Sequence, residues 1–539
     1  MKYKSIYLLA CAFMIIAFAS CKKDLLKVNT NPTGVSPSNY DPNFTLSEVQ
    51  MMYTGSTDYA SEVWQTEWGN IGGYIQHTAS VNTSFYSGDK YLFSPVNVGQ
   101  YFFEAYQQQV EPVVDLLHLT ANNPKLNNVH QMARIMRALV FQRLTDMYGD
   151  VPYFQAGLGY YDRIYTPVYD KQQDIYTDML KEVSQAVDSL DVNGDIATGD
   201  LYYYTTTTNA ASQVAQWKKF GNSLILRLAM RLTKVDPATA QSWVTKVANS
   251  CMQSNADDAI VQHNLSANTA SENRDAWVIL TQDSTDLNLC STFVNMLRND
   301  KDPRLNVFSY IFRTDDTTAA AQNGLPPGFI VGNGKTTLFD ITTDSTYNKS
   351  LGMEGYSRPS PYVLNVGAPS MIISYAQTEL LLADASVRWG IGGDASVHYV
   401  NGITAGVTEA AALYGAPAPT AAQINYLTNI GPTAYGNDPS SNTLNQINTQ
   451  YWITCFMDEY EAWANWRRTS TVTSVLGVKG SPSLTPTDYT GNITNGTIPR
   501  RLTYPSSEAL SNGANLAVAV AREKGGKDVQ TNRVWWDTQ

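Results

Sequence analysis

The sequence predicts a mainly α-helical fold of paired helices, interrupted by an irregular, loop-rich lobe. Two observations carry this reading. Apolar residues recur at three-to-four spacing in two separate parts of the 539-residue chain. The stretches between and after them are crowded with Asn, Asp, Thr, Gly and Pro, which favour turns over regular structure.

Taken in order, residues 1–20 read as an address. Lys2 and Lys4 precede the apolar run Ile6–Phe18, the layout of an export signal. That run is shorter than the about 20 residues a spanning helix needs. Phe18-Ala19-Ser20-Cys21 then places small side chains before a cysteine, as a lipoprotein signal peptidase requires. Cys21 is therefore expected to become the lipidated first residue, an ordinary signal peptide being the alternative. Acyl chains contribute about 0.8 kcal/mol per buried CH₂, so a multiply acylated cysteine anchors durably. Residues 21–42, with Lys22, Lys23, Pro32, Gly34, Pro37 and Pro42, read as a tether. No later stretch approaches 18 consecutive apolar residues, so the rest is expected to fold against water on one side of a membrane.

Residues 43–253 are expected to form a helical scaffold. Met132, Ile135, Met136, Leu139, Val140, Leu144 and Met147 make one stripe, and Ile175 to Leu190 and Trp217 to Leu232 make two more. Gly149-Asp150-Val151-Pro152 stops the first of these and Asp236-Pro237 the third. Residues 254–366 are expected to be the loop-rich lobe, with hard turns at Asp302-Pro303-Arg304 and Leu325-Pro326-Pro327-Gly328. Irregular segments on a rigid scaffold commonly carry binding function. Helical spacing returns in 367–468, at Met371–Trp389, Ala395–Tyr414 and Ile447–Arg468, and loop character in 469–539. Paired helices suggest tetratricopeptide-like stacking, but no repeated consensus is visible, so any such repeats are degenerate.

Composition narrows the function. A net charge of −11 without a Lys/Arg-rich block argues against a nucleic-acid partner. The 33 Tyr and 11 Trp against 16 Phe are a bias toward rings with a polar tip, which suit wet binding surfaces. Cys251, Cys290 and Cys455 are three widely spaced thiols without a CxxC, read as small buried apolar residues, with one bridge among them as the alternative.

Catalytic motifs are missing. The five histidines show no metal-ligand spacing. There is no GxSxG elbow, and Gly332-Asn333-Gly334-Lys335-Thr336 fails as a phosphate loop because Phe329 stands where the first glycine belongs. A glycosidase needs two facing carboxylates, and none of the 48 acidic residues lies in a recognisable catalytic context. No cofactor is indicated, and a structural calcium ion in the loops stays open as an alternative. The run Asp458-Glu459-Tyr460-Glu461-Ala462-Trp463-Ala464-Asn465-Trp466-Arg467-Arg468 mixes aromatics with both charges, yet its spacing is that of a helix whose tryptophans face the core and whose Glu461 pairs with a nearby arginine.

Several segments together resemble the SusD/RagB family of outer-membrane nutrient-binding lipoproteins, in its SusD-like branch. They are Ala133-Arg134 through Tyr148-Gly149-Asp150-Val151-Pro152-Tyr153, Trp217-Lys218-Lys219-Phe220-Gly221-Asn222-Ser223-Leu224 with Arg227, and Asp302-Pro303-Arg304. Ser374-Tyr375-Ala376-Gln377 through Ala383-Asp384-Ala385, Trp466-Arg467-Arg468, Ile498-Pro499-Arg500-Arg501 and Tyr504-Pro505 with Glu508 and Asn512 complete the series. Gln377 and Asp384 depart from the pattern, standing where the family has glutamate. The resemblance implies an α-superhelical fold of degenerate tetratricopeptide-like pairs with a ligand-bearing lobe. It also implies a cell-surface lipoprotein that sits as a lid over a SusC-like TonB-dependent transporter and delivers glycans, or peptides in RagB-like cases, without cleaving them. A structural envelope scaffold and a surface hydrolase are the readings from other classes.

For a glycan, apolar ring faces need aromatic stacking and hydroxyls need amide and carboxylate partners. The richest segment is Trp64–Phe93, similar in position to the one from which family members take such residues. The expected ligand residues are Trp68, Tyr74, Asn82 and Tyr86, with Trp277 and Tyr356 from the central loops.

Overall fold

The computed structural model describes residues 40–538 apart from 57–59, 204, 265–270, 283–285, 333–338, 438–441, 471–481 and 485. The leader, Cys21 and the tether up to residue 39 lie outside the described residues.

Helix α1 (Pro42–Tyr53) is followed by a π-helical segment, Glu62–Ile71, and then by α2 (Pro95–Ala105), α3 (Glu111–Thr120) and α4 (Asn127–Tyr148). The apolar stripe expected for α4 is wholly buried, and the helix stops where Gly149 takes φ +85°, a conformation that costs a residue without a Cβ little. Helices α5 (Gln172–Ser189), α6 (Ala210–Arg231) and α7 (Pro237–Val247) follow, and α4, α5, α6 and α7 pack successively on one another. Asn209 caps α6 through the Ser212 N–H, and Asp236 caps α7 through the Thr239 N–H with Pro237 in the first turn.

The loop-rich stretch that follows contains short helices α8 (Arg274–Thr281) and α9 (Ser291–Asn299). Further along come α10 (Tyr375–Trp389), α11 (Ala395–Tyr414), α12 (Thr443–Thr454) and α13 (Glu459–Thr469), with α14 (Gly513–Arg522) near the C-terminus. Two expected helices are corrected here. Met371 is not helical: it lies in a strand, Ser370–Ile373, and α10 begins only after Ser374, whose hydroxyl accepts the Gln377 N–H. Ile447–Arg468 is two helices, broken at Met457, which takes φ +77°, and restarted by the Asp458 cap.

Among the described residues the strands form four two-stranded antiparallel sheets, β1 (Thr78–Ala79) with β5 (Asn288–Leu289), β2 (Val151–Pro152) with β3 (Tyr169–Asp170), β4 (Ala259–Val261) with β8 (Ser370–Ile373), and β6 (Ser309–Ile311) with β7 (Ser357–Pro359). Each joins segments distant in sequence or clamps a turn. The chain from Asn43 on is one compact unit, with a main core running in sequence from Leu46 to Trp536.

The charged run on α13 is structural, as its spacing indicates. The Trp463 indole donates to the Pro499 carbonyl at 3.1 Å, and Arg467 lies over the Trp463 ring at 3.9 Å. The two departures from the family pattern are fully accommodated. Gln377 caps α10 and accepts from Arg227 at 2.7 Å. Asp384 accepts from Arg468 at 3.0 Å and Asn448 at 2.9 Å, and is paired with Arg388. Burial pushes the Asp384 carboxyl up, but Arg388 and Arg468 outweigh it and hold it well below the usual range. Cys251, Cys290 and Cys455 are all buried free thiols.

Candidate functional site

The segment singled out by its aromatics folds around the π-helical stretch. Thr66 anchors that stretch by donating to the Asn97 carbonyl of α2 at 2.6 Å and accepting the Tyr101 N–H at 3.1 Å. The following loop turns back so closely that a Cβ on Gly88 would lie 2.0 Å from the Asn70 carbonyl oxygen, which is why glycine stands there. Asp89 and Lys90 form a buried ion pair at 2.8 Å, and Asp89 also accepts the Gly328 N–H at 2.8 Å, tying the segment around Gly328 to this loop.

This packing turns most of the expected rings inward. Trp68, Tyr74, Tyr86 and Tyr356 expose 1%, 0%, 2% and 0% of their surface, so none offers a ring face to a ligand. Trp68 donates to Asp275 at 3.0 Å and lies edge-on to Phe456. Tyr74 accepts from Gln530 at 3.1 Å and packs on Trp463. Tyr86 packs with Trp68 in a small satellite core, and Tyr356 belongs to a different cluster, its hydroxyl 3.1 Å from that of Thr346. The physical reason is area: a large ring that reaches a core contributes more there than at a rim.

Asn82 and Trp277 remain near the surface. Asn82 accepts the Ser84 N–H at 2.7 Å, shaping an Asx turn, and donates to Asp286 at 3.0 Å. The turn presents Phe85, 44% exposed, whose ring stacks on Trp64 with centroids 5.2 Å apart and planes at 21°. Trp64 and Trp277 both rest half-buried on the satellite core that holds Trp68 and Tyr86, and the Arg274 guanidinium lies 5.3 Å from the Trp277 ring. Arg358 from β7 lies 4.9 Å over the Phe312 ring. Burial lowers the Arg358 pKa from its ordinary value, with Tyr310, Glu354 and Asp286 opposing.

The site is therefore an aromatic rim, Trp64 and Phe85 with Trp277, beside the polar pair Asn82 and Asp286. Such an arrangement stacks an apolar ring face while offering an amide and a carboxylate to hydroxyls. Trp64, Phe85 and Asp286 were not among the expected ligand residues. The polar run Asn82-Thr83-Ser84 just before Phe85 is the signal that could have found that ring, since a turn of short polar residues faces water. Burial pushes the carboxyl of Glu62, at the start of the π-helical stretch, up to about 7, and that of Asp275, which accepts from Trp68, up to about 7 as well. Among the described residues no group of three His, Cys, Asp or Glu side chains could hold a metal ion, and no helix is long and apolar enough to cross a membrane.

Residues 38–505 match a SusD-like family model described as starch-binding and associating with the outer membrane. The chain belongs to the SusD-like family. Among solved structures, this SusD-like protein is similar to a chitin-binding protein, with 29% identity and a TM-score of 0.77, covering 93% of this chain and 100% of that one. A Bacteroidetes SusD-like protein aligns with 24% identity and a TM-score of 0.77 over 93% of this chain and all of its own. A chitin-binding SusD homologue from Flavobacterium johnsoniae aligns with 21% identity and a TM-score of 0.72 over 92% of this chain and 98% of its own. Both share its helical fold. No curated protein sequence matches the SusD-like chain.

Proposed function

We propose that this protein captures a carbohydrate polymer at the outer-membrane surface, anchored through a lipidated Cys21, and passes it without cleavage to a SusC-like TonB-dependent transporter. The observation that carries the capture step is the stacked Trp64–Phe85 pair held beside Asn82 and Asp286. A pyranose ring presents C–H faces to such rings and hydroxyls to such polar groups. The family description and the chitin-binding relatives support a glycan, and chitin oligosaccharides are the first ligands to test.

The test is calorimetric titration of the full-length protein in detergent with chitin and starch oligosaccharides and, in parallel, peptides. Wild type is expected to bind one of the sugars without releasing products. Trp64→Ala is expected to weaken that binding about tenfold, the equivalent of about 1.4 kcal/mol and within reach of one lost stacking partner. Tight binding of peptides with silence toward every sugar overturns the glycan reading, and product release overturns the non-catalytic one.

A further inference from the structure

The rim is not the only aromatic surface suited to a sugar ring. A second cleft, open to solvent, lies where the end of α2 meets the loop before β3 and the segment after Tyr504. Its walls include Phe103, 48% exposed, and Tyr165, 75% exposed. Pro152, Pro167 and Pro505 also line it, and prolines have no backbone N–H to offer a strand. That argues against an extended peptide pairing with the cleft by backbone hydrogen bonds.

The polar groups here are fixed in place. One Glu508 oxygen accepts the Tyr169 hydroxyl at 2.6 Å and the other the Ser511 hydroxyl at 3.2 Å. Each carboxylate oxygen has room for a further donor. Asn512 holds the loop by donating to the Pro167 carbonyl at 2.7 Å, and Tyr106 does the same to the Pro152 carbonyl at 2.6 Å. Gln107 and Ser507 stand exposed at the edge. Two apolar ring faces beside a positioned acceptor, an amide and a hydroxyl repeat the chemistry of the rim.

The two places are joined by one helix. The Asn97 amide of α2 donates to the Phe85 carbonyl at 3.0 Å, so the start of α2 lies beside the rim. Val96 and Phe103 are seven residues apart and both exposed, which places them on one helix face about 10 Å apart along the axis. We propose that the Phe103–Tyr165–Glu508 cleft is a second carbohydrate subsite, which takes a hexopyranose unit of the same polymer that lies on the Trp64–Phe85 rim and runs along the exposed face of α2. This rests on the glycan-capture reading. Two linked contacts on one chain bind longer polymers more tightly than either alone, without stronger individual contacts.

The experiment compares short and long chitin oligosaccharides on full-length wild type, on Phe103→Ala/Tyr165→Ala and on Trp64→Ala. Both cleft side chains are exposed, so their removal is compatible with folding, and circular dichroism melting checks this. Wild type is expected to bind the long oligosaccharide about tenfold or more tighter than the short one. The double variant is expected to lose that gain while binding the short one unchanged, whereas Trp64→Ala weakens both. Equal length dependence in wild type and the double variant overturns the second subsite and leaves the rim intact. No binding of either sugar by wild type overturns the glycan reading itself, and the subsite with it.

Discussion

Arg231 is buried at the meeting point of four helices, and replacing it with leucine is expected to destabilise the protein strongly. Its guanidinium pairs with Glu461 of α13 and with Asp146 of α4, Nε to Oδ2 at 3.3 Å. Arg227, also on α6, lies 3.8 Å from Glu461, the Tyr451 hydroxyl of α12 donates to Glu461 at 2.7 Å, and the Trp536 indole donates to Asp146 at 2.8 Å. Arg231→Leu keeps the apolar volume but leaves two buried carboxylates facing fewer cations. Breaking a buried pair in this way costs roughly 3–5 kcal/mol, well above the about 1 kcal/mol of a neutral hydrogen bond. The pH dependence is a second signature. Burial pushes the Glu461 carboxyl up, but Arg231 and Arg227 outweigh it and hold it below its ordinary value. A depressed carboxyl contributes stability above its unfolded pKa that is lost as pH falls through the folded one. Without Arg231, burial dominates, the carboxyl rises, and protonation relieves the variant. The deficit should be largest near pH 8 and shrink toward pH 5. Urea unfolding followed by tryptophan fluorescence at both values measures it. A loss below about 1 kcal/mol near pH 8, or an equal loss at both, refutes this account of the network.

Further outcomes follow from the site. Burial raises Glu62 from 4.5 to about 7, so folding takes up a proton between those values and stability rises as pH falls through about 7 toward the ordinary range. Glu62→Gln should flatten this by on the order of 3 kcal/mol, read from melting curves over that window, and an unchanged slope counts against it. Gly88→Ala would drive a Cβ into the Asn70 carbonyl at 2.0 Å, so it should lower the melting temperature and abolish oligosaccharide binding together. Asn82→Ala frees the turn under Phe85 and removes one amide. It should weaken sugar binding by about 1 kcal/mol in calorimetry while leaving the melting temperature nearly unchanged.

What the sequence alone determined are properties that depend on near neighbours. The periodicity of Met132 to Met147 and the glycine at 149 specify α4 and its end because helix hydrogen bonds and caps act within a few residues. The three-to-four spacing of Asp458 to Arg468 likewise places Trp463 and Glu461 in a core helix. Helix boundaries failed where a distant partner intervened, as at Met371, which β4 draws into a strand. The site was legible only as a segment. Trp64 and Trp68 lie four residues apart in one π-helical stretch, yet one forms the rim and the other donates to Asp275, more than two hundred residues away in sequence. Which ring faces water depends on what packs against it, and for Trp68, Tyr74 and Tyr86 that came from α8, α13 and the C-terminal segment. The chain encodes its helices locally; its binding surface is a product of long-range packing, which decides the side of each ring left for a ligand.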